Sequence, residues 1–151
     1  MSGDVYEVKA TAESTNGALG FIDCWVPPGN GPVAHVHKSA DEAFYLISGA
    51  LEFLNGDRTF VASAGDFVFV PRGTRHRFRN ITGEETHMVA FYTPGGEALF
   101  VAAGDDPVPG GKPEFWPPER GLALAALLGR KDIDMEVLPE EADLTGPAGE
   151  A

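Results

Sequence analysis

Between Val5 and Tyr92 the chain reads as short apolar runs separated by glycine, proline and asparagine. Val5, Tyr6 and Val8 predict a first strand, and Ser14-Thr15-Asn16-Gly17 predicts a turn. Leu19 to Val26, rich in β-branched and aromatic residues, predicts a second strand that Pro27-Pro28-Gly29-Asn30-Gly31-Pro32 ends. Val33 to His37 and Ala43 to Ile47 predict two more, the latter turned by Ser48-Gly49. Leu51 to Leu54 and Thr59 to Val61 flank Asn55-Gly56-Asp57, a strong hairpin signal. Phe67 to Val70 is apolar at every position, which predicts a strand covered on both faces. Thr74 to Asn80 alternates, with His76 and Phe78 on one face and Arg75, Arg77 and Arg79 on an outer, solvated one. Thr86 to Tyr92 predicts the last strand of the series, closed by Thr93-Pro94-Gly95-Gly96. Short strands recurring with turns between them predict an antiparallel sandwich or barrel.

After Pro94 the character changes. Glu97 to Ala103 predicts a short helix, and Asp105 to Pro118, rich in proline and glycine, a surface loop. Pro118 opens a second helix that carries Leu122 to Leu128 and ends at Gly129. Ile133, Met135 and Val137 alternate with Asp134 and Glu136, which predicts a final edge strand. The organisation expected is one domain over 1–138, with a barrel over about 5–95, an extension over about 96–138, and a disordered acidic tail over 139–151.

Charge and cysteine content narrow the partners. A net charge of -12 argues against nucleic acid or an anionic membrane as the main partner. No apolar run approaches a membrane span, and Met1-Ser2-Gly3-Asp4 lacks the basic start of a secretory signal. The single cysteine, Cys24, lies in an apolar run and reads as a buried thiol; a cytoplasmic location is the expectation.

The chemistry-bearing residues are three histidines and a glutamate. In an extended strand His35 and His37 project to one face, a ready chelate for a divalent metal. Glu42 follows a short break, and His76, on its alternating strand, supplies a further ligand. His87 reads as a surface residue rather than a ligand.

Gly29, His35, His37, Glu42 and Gly49, then Gly65, Pro71, Gly73, His76 and Asn80, resemble the two sequence motifs of the cupin superfamily, with no motif position departing from the pattern. The resemblance implies an all-β fold: a single cupin β-barrel (a double-stranded β-helix, or jelly roll) of six to eight strands, with short C-terminal helices. It also implies that His35, His37, Glu42 and His76 bind one metal near a barrel mouth. The donor set admits Ni, Fe, Mn, Co, Cu or Zn. Three imidazoles and one carboxylate leave two octahedral positions for water, dioxygen or a chelating substrate.

Asp41-Glu42-Ala43-Phe44-Tyr45 and Thr93-Pro94-Gly95-Gly96 look closest to the quercetinase-like group of small cupins. That likeness implies a flavonol-type dioxygenase in which Glu42 is also the catalytic base, acting on an aromatic enol/keto substrate together with dioxygen. The alternatives are a non-redox polyketide cyclase or isomerase using the metal as a Lewis acid, and a small-molecule-binding cupin without catalysis. Trp25, Phe44 and Phe78 are the candidate pocket walls, although aromatics in small barrels are more often core. The N-terminal strand and Phe67 to Val70 are the candidate faces of an expected homodimer.

Overall fold

The structure is a computed structural model that describes residues 1–138. In chain order its strands are β1 (Val5–Ala10), β2 (Gly20–Val26), β3 (His35–Val36), β4 (Asp41–Ser48), β5 (Ala50–Asn55), β6 (Arg58–Ser63), β7 (Phe67–Val70), β8 (His76–Arg79) and β9 (Thr86–Thr93). Two helices, α1 (Ala98–Ala103) and α2 (Pro118–Leu127), and a last strand, β10 (Glu136–Val137), follow. They form two five-stranded antiparallel sheets, ordered β1-β2-β9-β4-β7 and β10-β3-β8-β5-β6. This is the all-β double-stranded β-helix with short C-terminal helices. Edge strands β1 and β10 lie outside the other eight, which accounts for a strand count above the six to eight implied by the resemblance. The predicted tail, 139–151, lies outside the described residues.

Period-two alternation builds the core. Ile22, Cys24 and Val26 of β2, Phe44 and Leu46 of β4, and Met88, Ala90 and Tyr92 of β9 turn inward. They meet Leu51 and Phe53 of β5 and Phe78 of β8 from the opposite sheet. Each fully buried side chain of this size contributes roughly 1.5–3 kcal/mol of transfer free energy. The hairpin signal is realised: Asn55 pairs with Arg58 across a two-residue turn, Gly56-Asp57, with Gly56 at φ +63°. Gly49 also needs its lack of a side chain. Its φ is +78°, and a Cβ there would meet Thr86 Oγ1 at 2.4 Å.

Four expectations are corrected. Phe67 and Phe69 are 64% and 51% exposed, because β7 is an edge strand and no layer among the described residues covers the outer face of its sheet. The ligand strand is only His35–Val36; Pro32 precedes it, and the His37 carbonyl leaves the ladder to accept the Gly73 N–H at 2.7 Å. The final strand is likewise only Glu136–Val137, since Asp134 is engaged elsewhere. Arg75, Arg77 and Arg79 do share the outer face, but half-buried: Arg77 lies 3.1 Å from Glu52, and Arg75 Nε donates to the Leu138 carbonyl at 2.7 Å.

The extension folds back over one barrel mouth. Leu99, Ala103 and Ile133 are buried among Met1, Trp116, Leu124 and Leu128 in a second, smaller cluster. Arg120 stacks over Trp116 at 4.1 Å. No helix among the described residues is long and apolar enough to cross a membrane.

Candidate metal centre

The two sheets contribute unequally to one buried cluster. His35 on β3 pairs in register with His76 on β8, so the second sheet holds both rings side by side, 4.3 Å apart. His37 follows in the loop after β3. Glu42 projects across the barrel from β4 of the first sheet. All four are at most 5% exposed, and one donor atom from each lies within 4.8 Å of the others. The turn before β8 braces this arrangement. Arg72 donates to Asp41 from its backbone N–H and its guanidinium, each at 2.8 Å, while Gly73 holds the His37 carbonyl.

The three rings are oriented by backbone. His35 Nδ1 faces the Val33 carbonyl at 2.8 Å, His76 Nδ1 the Thr74 carbonyl at 2.9 Å, and His37 Nδ1 the Asp134 carbonyl. With Nδ1–H donating outward, each ring turns its Nε2 to the cluster, the nitrogen that a neutral imidazole offers a metal. Glu42 Oε2 sits 2.7 Å from His76 Nε2 and 3.3 Å from His37 Nε2.

Electrostatics follow from that geometry. Burial penalises the Glu42 carboxylate, yet His37 and His76 outweigh it and hold its pKa well below the usual range. Burial also opposes charge on His37, but the Glu42 carboxylate and the Asp134 carbonyl raise its pKa. His35, pushed by burial and then by His76, falls to about 3. The cluster therefore keeps an anionic carboxylate among imidazoles, the charge state that a divalent cation needs.

One observation tests whether the residues fit a metal. His37 Nε2 is fully buried, and no group among the described residues reaches it with hydrogen-bond geometry, although the Glu42 charge is close. An orphaned buried ring nitrogen is costly unless something else satisfies it. A cation shared with His35, His76 and Glu42 does so, and the donor set suits a transition metal.

The cluster opens onto a cavity of about 330 Å³ walled largely by Phe44, Phe78, Met88, Tyr92, Leu99 and Phe100. Two of the three predicted wall residues are there. Trp25 is not: it stands on the outward face of β2, stacked 4.6 Å from His87, because Cys24 and Val26 on either side turn inward. His87 is outside the cluster, half-buried on that outer face and 2.5 Å from Asp23. Three residues at or near the site were missed. Tyr92 is the cross-strand partner of Glu42; burial, then the Glu42 charge, raises the phenol pKa. The inward phase of β9, from Met88 and Ala90, could have found it. Asp134 and Asp4 approach from the far ends of the chain, and no local pattern marks them.

The profile of the Cupin domain family matches residues 24–92. Protein SchB of Streptomyces halstedii is 32% identical over 94 residues, covering 61% of this chain and 67% of that protein. The chain belongs to the cupin superfamily. Among other relatives of this cupin, quercetin 2,3-dioxygenase of Bacillus subtilis is 29% identical over 70% of the chain, which spans 32% of the dioxygenase. Polyketide synthase CurC of Streptomyces cyaneus is 33% identical over 56% of the chain, which spans 53% of CurC. The chain thus spans about a third to about half the length of these two relatives. A double-stranded β-helix protein of Klebsiella pneumoniae superposes with a TM-score of 0.54 at 22% identity, over 61% of this chain and 77% of that one, and shows the shared fold.

Proposed function

We propose that this cupin is a metal-dependent enzyme, a quercetinase-like dioxygenase acting on an aromatic substrate with adjacent enol and keto oxygens. The observation that supports it most is the buried His35–His37–Glu42–His76 cluster, with its orphaned nitrogen, facing an apolar aromatic cavity. A cavity of about 330 Å³ falls in the range of small-molecule sites, and flat walls such as Phe44 and Phe78 favour a planar ligand. The likeness to a quercetin dioxygenase points the same way.

His35, His37, His76 and Glu42 would hold the ion, which supplies Lewis acidity and, if redox-active, a route to dioxygen chemistry. The chain's own residues do the rest. Glu42 stays ionised at neutral pH, so a carboxylate oxygen is in the state that accepts the substrate's enol proton. Tyr92, paired with Glu42 across β4 and β9, lines the cavity beside that carboxylate. The apolar walls exclude water from the bound enolate.

The similarity to a polyketide synthase protein favours a second reading, a non-redox cyclase or isomerase on an aromatic polyketide with the same four residues. One experiment separates them. Protein loaded with Ni, Co, Mn or Fe is incubated with a flavonol under air and under nitrogen while flavonol absorbance is followed. Loss only in air is expected. No loss with any of the four metals overturns the flavonol reading, and oxygen-independent conversion of a poly-β-keto substrate establishes the second.

The working unit we propose is a homodimer. Tyr45, Ile47, Phe67 and Phe69 are all at least 43% exposed on one outer face of the first sheet, and Tyr45 pairs with Phe67 across β4 and β7. A dimeric mass by light scattering is the expected result; a monomeric mass overturns it.

A further inference from the structure

Asp134 lies in the C-terminal extension, far in sequence from either cupin motif, yet it touches the candidate metal centre twice. Its carboxylate accepts three consecutive backbone N–H groups, from Lys38, Ser39 and Ala40, each at 2.9 Å. Those residues are three of the four that link His37 to Glu42. Its own carbonyl accepts the Nδ1–H of His37. One residue therefore ties down the loop between two of the four cluster residues and also sets the ring of one of them. Around it the extension is tied to the same region. Glu136 and Val137 pair with Val36 and His35, the Leu138 N–H donates to the Ala34 carbonyl at 2.9 Å, and Lys38 forms an ion pair with Glu136.

We propose that Asp134 is a positioning residue for the metal centre, so that docking of the 133–138 segment and binding of the ion reinforce each other. The proposal rests on the metal reading above but not on any choice of substrate. The physical case is preorganisation. A link of four residues between His37 and Glu42 has many conformations, and a metal would have to freeze it on binding. Three charge-assisted hydrogen bonds to one carboxylate freeze it beforehand. The hydrogen bond at His37 Nδ1 fixes which ring nitrogen faces the ion and raises its basicity, the usual role of an outer partner of a metal-bound imidazole. Coupling of this kind is reciprocal: whatever the segment adds to metal affinity, the metal adds to segment docking.

Cobalt(II) is the probe, bound to the full-length chain, with affinity read by chelator competition and ligand geometry by its visible absorption. Asp134→Ala removes the carboxylate and keeps the carbonyl that His37 meets, so it should weaken binding by about tenfold, the low end of the range for lost outer partners, and should alter the cobalt spectrum. Asp134→Asn keeps one acceptor oxygen and should fall between. Asp132→Ala, which removes only an exposed pair with Arg130, should match the wild type. In the unmutated protein, cobalt should slow amide hydrogen exchange at Val137 and Leu138. If wild type binds cobalt and both Asp134 variants bind it equally well with the same spectrum, the proposal is wrong. If Asp134→Ala does not fold, Asp134→Asn and the exchange measurement decide, and exchange unchanged by cobalt overturns the proposal. A wild type that binds no cobalt, nickel, manganese or iron overturns the metal reading beneath it instead.

Discussion

Among the described residues, the barrel buries fourteen apolar side chains in one cluster running from Ile22 to Tyr92, whereas the extension beyond residue 96 buries three, Leu99, Ala103 and Ile133. The barrel's residues come from two sheets facing each other, and neighbouring strands fix each one's phase. Those of the extension come from a six-residue helix with no side-chain cap, which carries Leu99 and Ala103, and from the segment after α2, which carries Ile133, with a long loop from Gly104 to Pro117 between the helices. The difference divides the labour. The barrel supplies the rigidity that holds His35, Glu42 and His76 within coordinating distance. The extension supplies one wall of the cavity and the Asp134 contacts, and none of the four cluster residues.

The largest expected effect is at the centre of the barrel. His76→Ala removes a donor and leaves Glu42 with one close partner in place of two. Bound metal, measured by elemental analysis of protein reconstituted with excess ion, should fall to a small fraction of the wild-type content. Metal-free stability should also drop, by roughly 3–5 kcal/mol, because a buried carboxylate loses its nearest hydrogen-bond donor. Metal content unchanged from wild type would count against His76 as a ligand. Phe53→Ala comes next. Phe53 is fully buried and stacks among Phe44, Phe60 and Phe78, so truncation leaves a cavity that its neighbours fill poorly. A cost of about 3–5 kcal/mol in urea unfolding is expected, with metal affinity little changed in the folded fraction.

Much of the barrel could be read in the chain because its signals are local. Turn glycines, an Asn-Gly hairpin and alternating runs fix the strands. The fixed spacing of His35, His37, Glu42 and His76 marked the cluster that the fold then assembles. Phase was harder where a run is apolar on both faces. Phe21-Ile22-Asp23-Cys24-Trp25-Val26 gives only Asp23 to show that Trp25 points out, and Phe67 to Val70 gives nothing to show which phenylalanines are uncovered. The Asp134 contacts were illegible for a different reason. They join residues 96 apart, the Asp134 carboxylate meeting backbone N–H groups that Lys38, Ser39 and Ala40 share with almost every residue, so nothing in the residue types announces them.

At the seam between the two regions the expected effect is smaller and depends on pH. Asp4 is 5% exposed, lines the cavity, and accepts hydrogen bonds from Tyr6 at 2.8 Å and Asn30 at 2.5 Å. Ser2, just before it, accepts from both Asn30 and Trp116 of the extension. Burial pushes the Asp4 carboxyl up to about 6, against the hydrogen bonds of Tyr6 and Asn30. The folded state therefore holds this proton more tightly than the unfolded chain does. The advantage is complete below the unfolded value of about 3.8 and is lost as pH rises through about 6. At roughly 1.4 kcal/mol per pH unit, the wild type should lose up to about 3 kcal/mol relative to Asp4→Asn between acid and neutral pH. Parallel stability curves for the two proteins would show that Asp4 does not titrate in this way.

Leu99→Ala is the smallest effect and the sharpest test of the contrast between the regions. Leu99 is 6% exposed on α1, beneath Trp116 and the residues around Leu124. Removing its side chain forfeits the same transfer free energy as a core leucine. The cavity left behind, however, borders a loop and a short helix that are free to settle into it. The cost should fall at the low end for such truncations, about 2 kcal/mol or less, against the 3–5 expected for Phe53→Ala. Cobalt affinity should stay within about twofold of wild type, since Leu99 packs in the second apolar cluster and supplies no donor to the centre. A penalty equal to that of Phe53→Ala would mean that the extension is packed as tightly as the barrel. A tenfold loss of cobalt affinity would mean that the mouth-covering cluster, and not Asp134 alone, preorganises the centre.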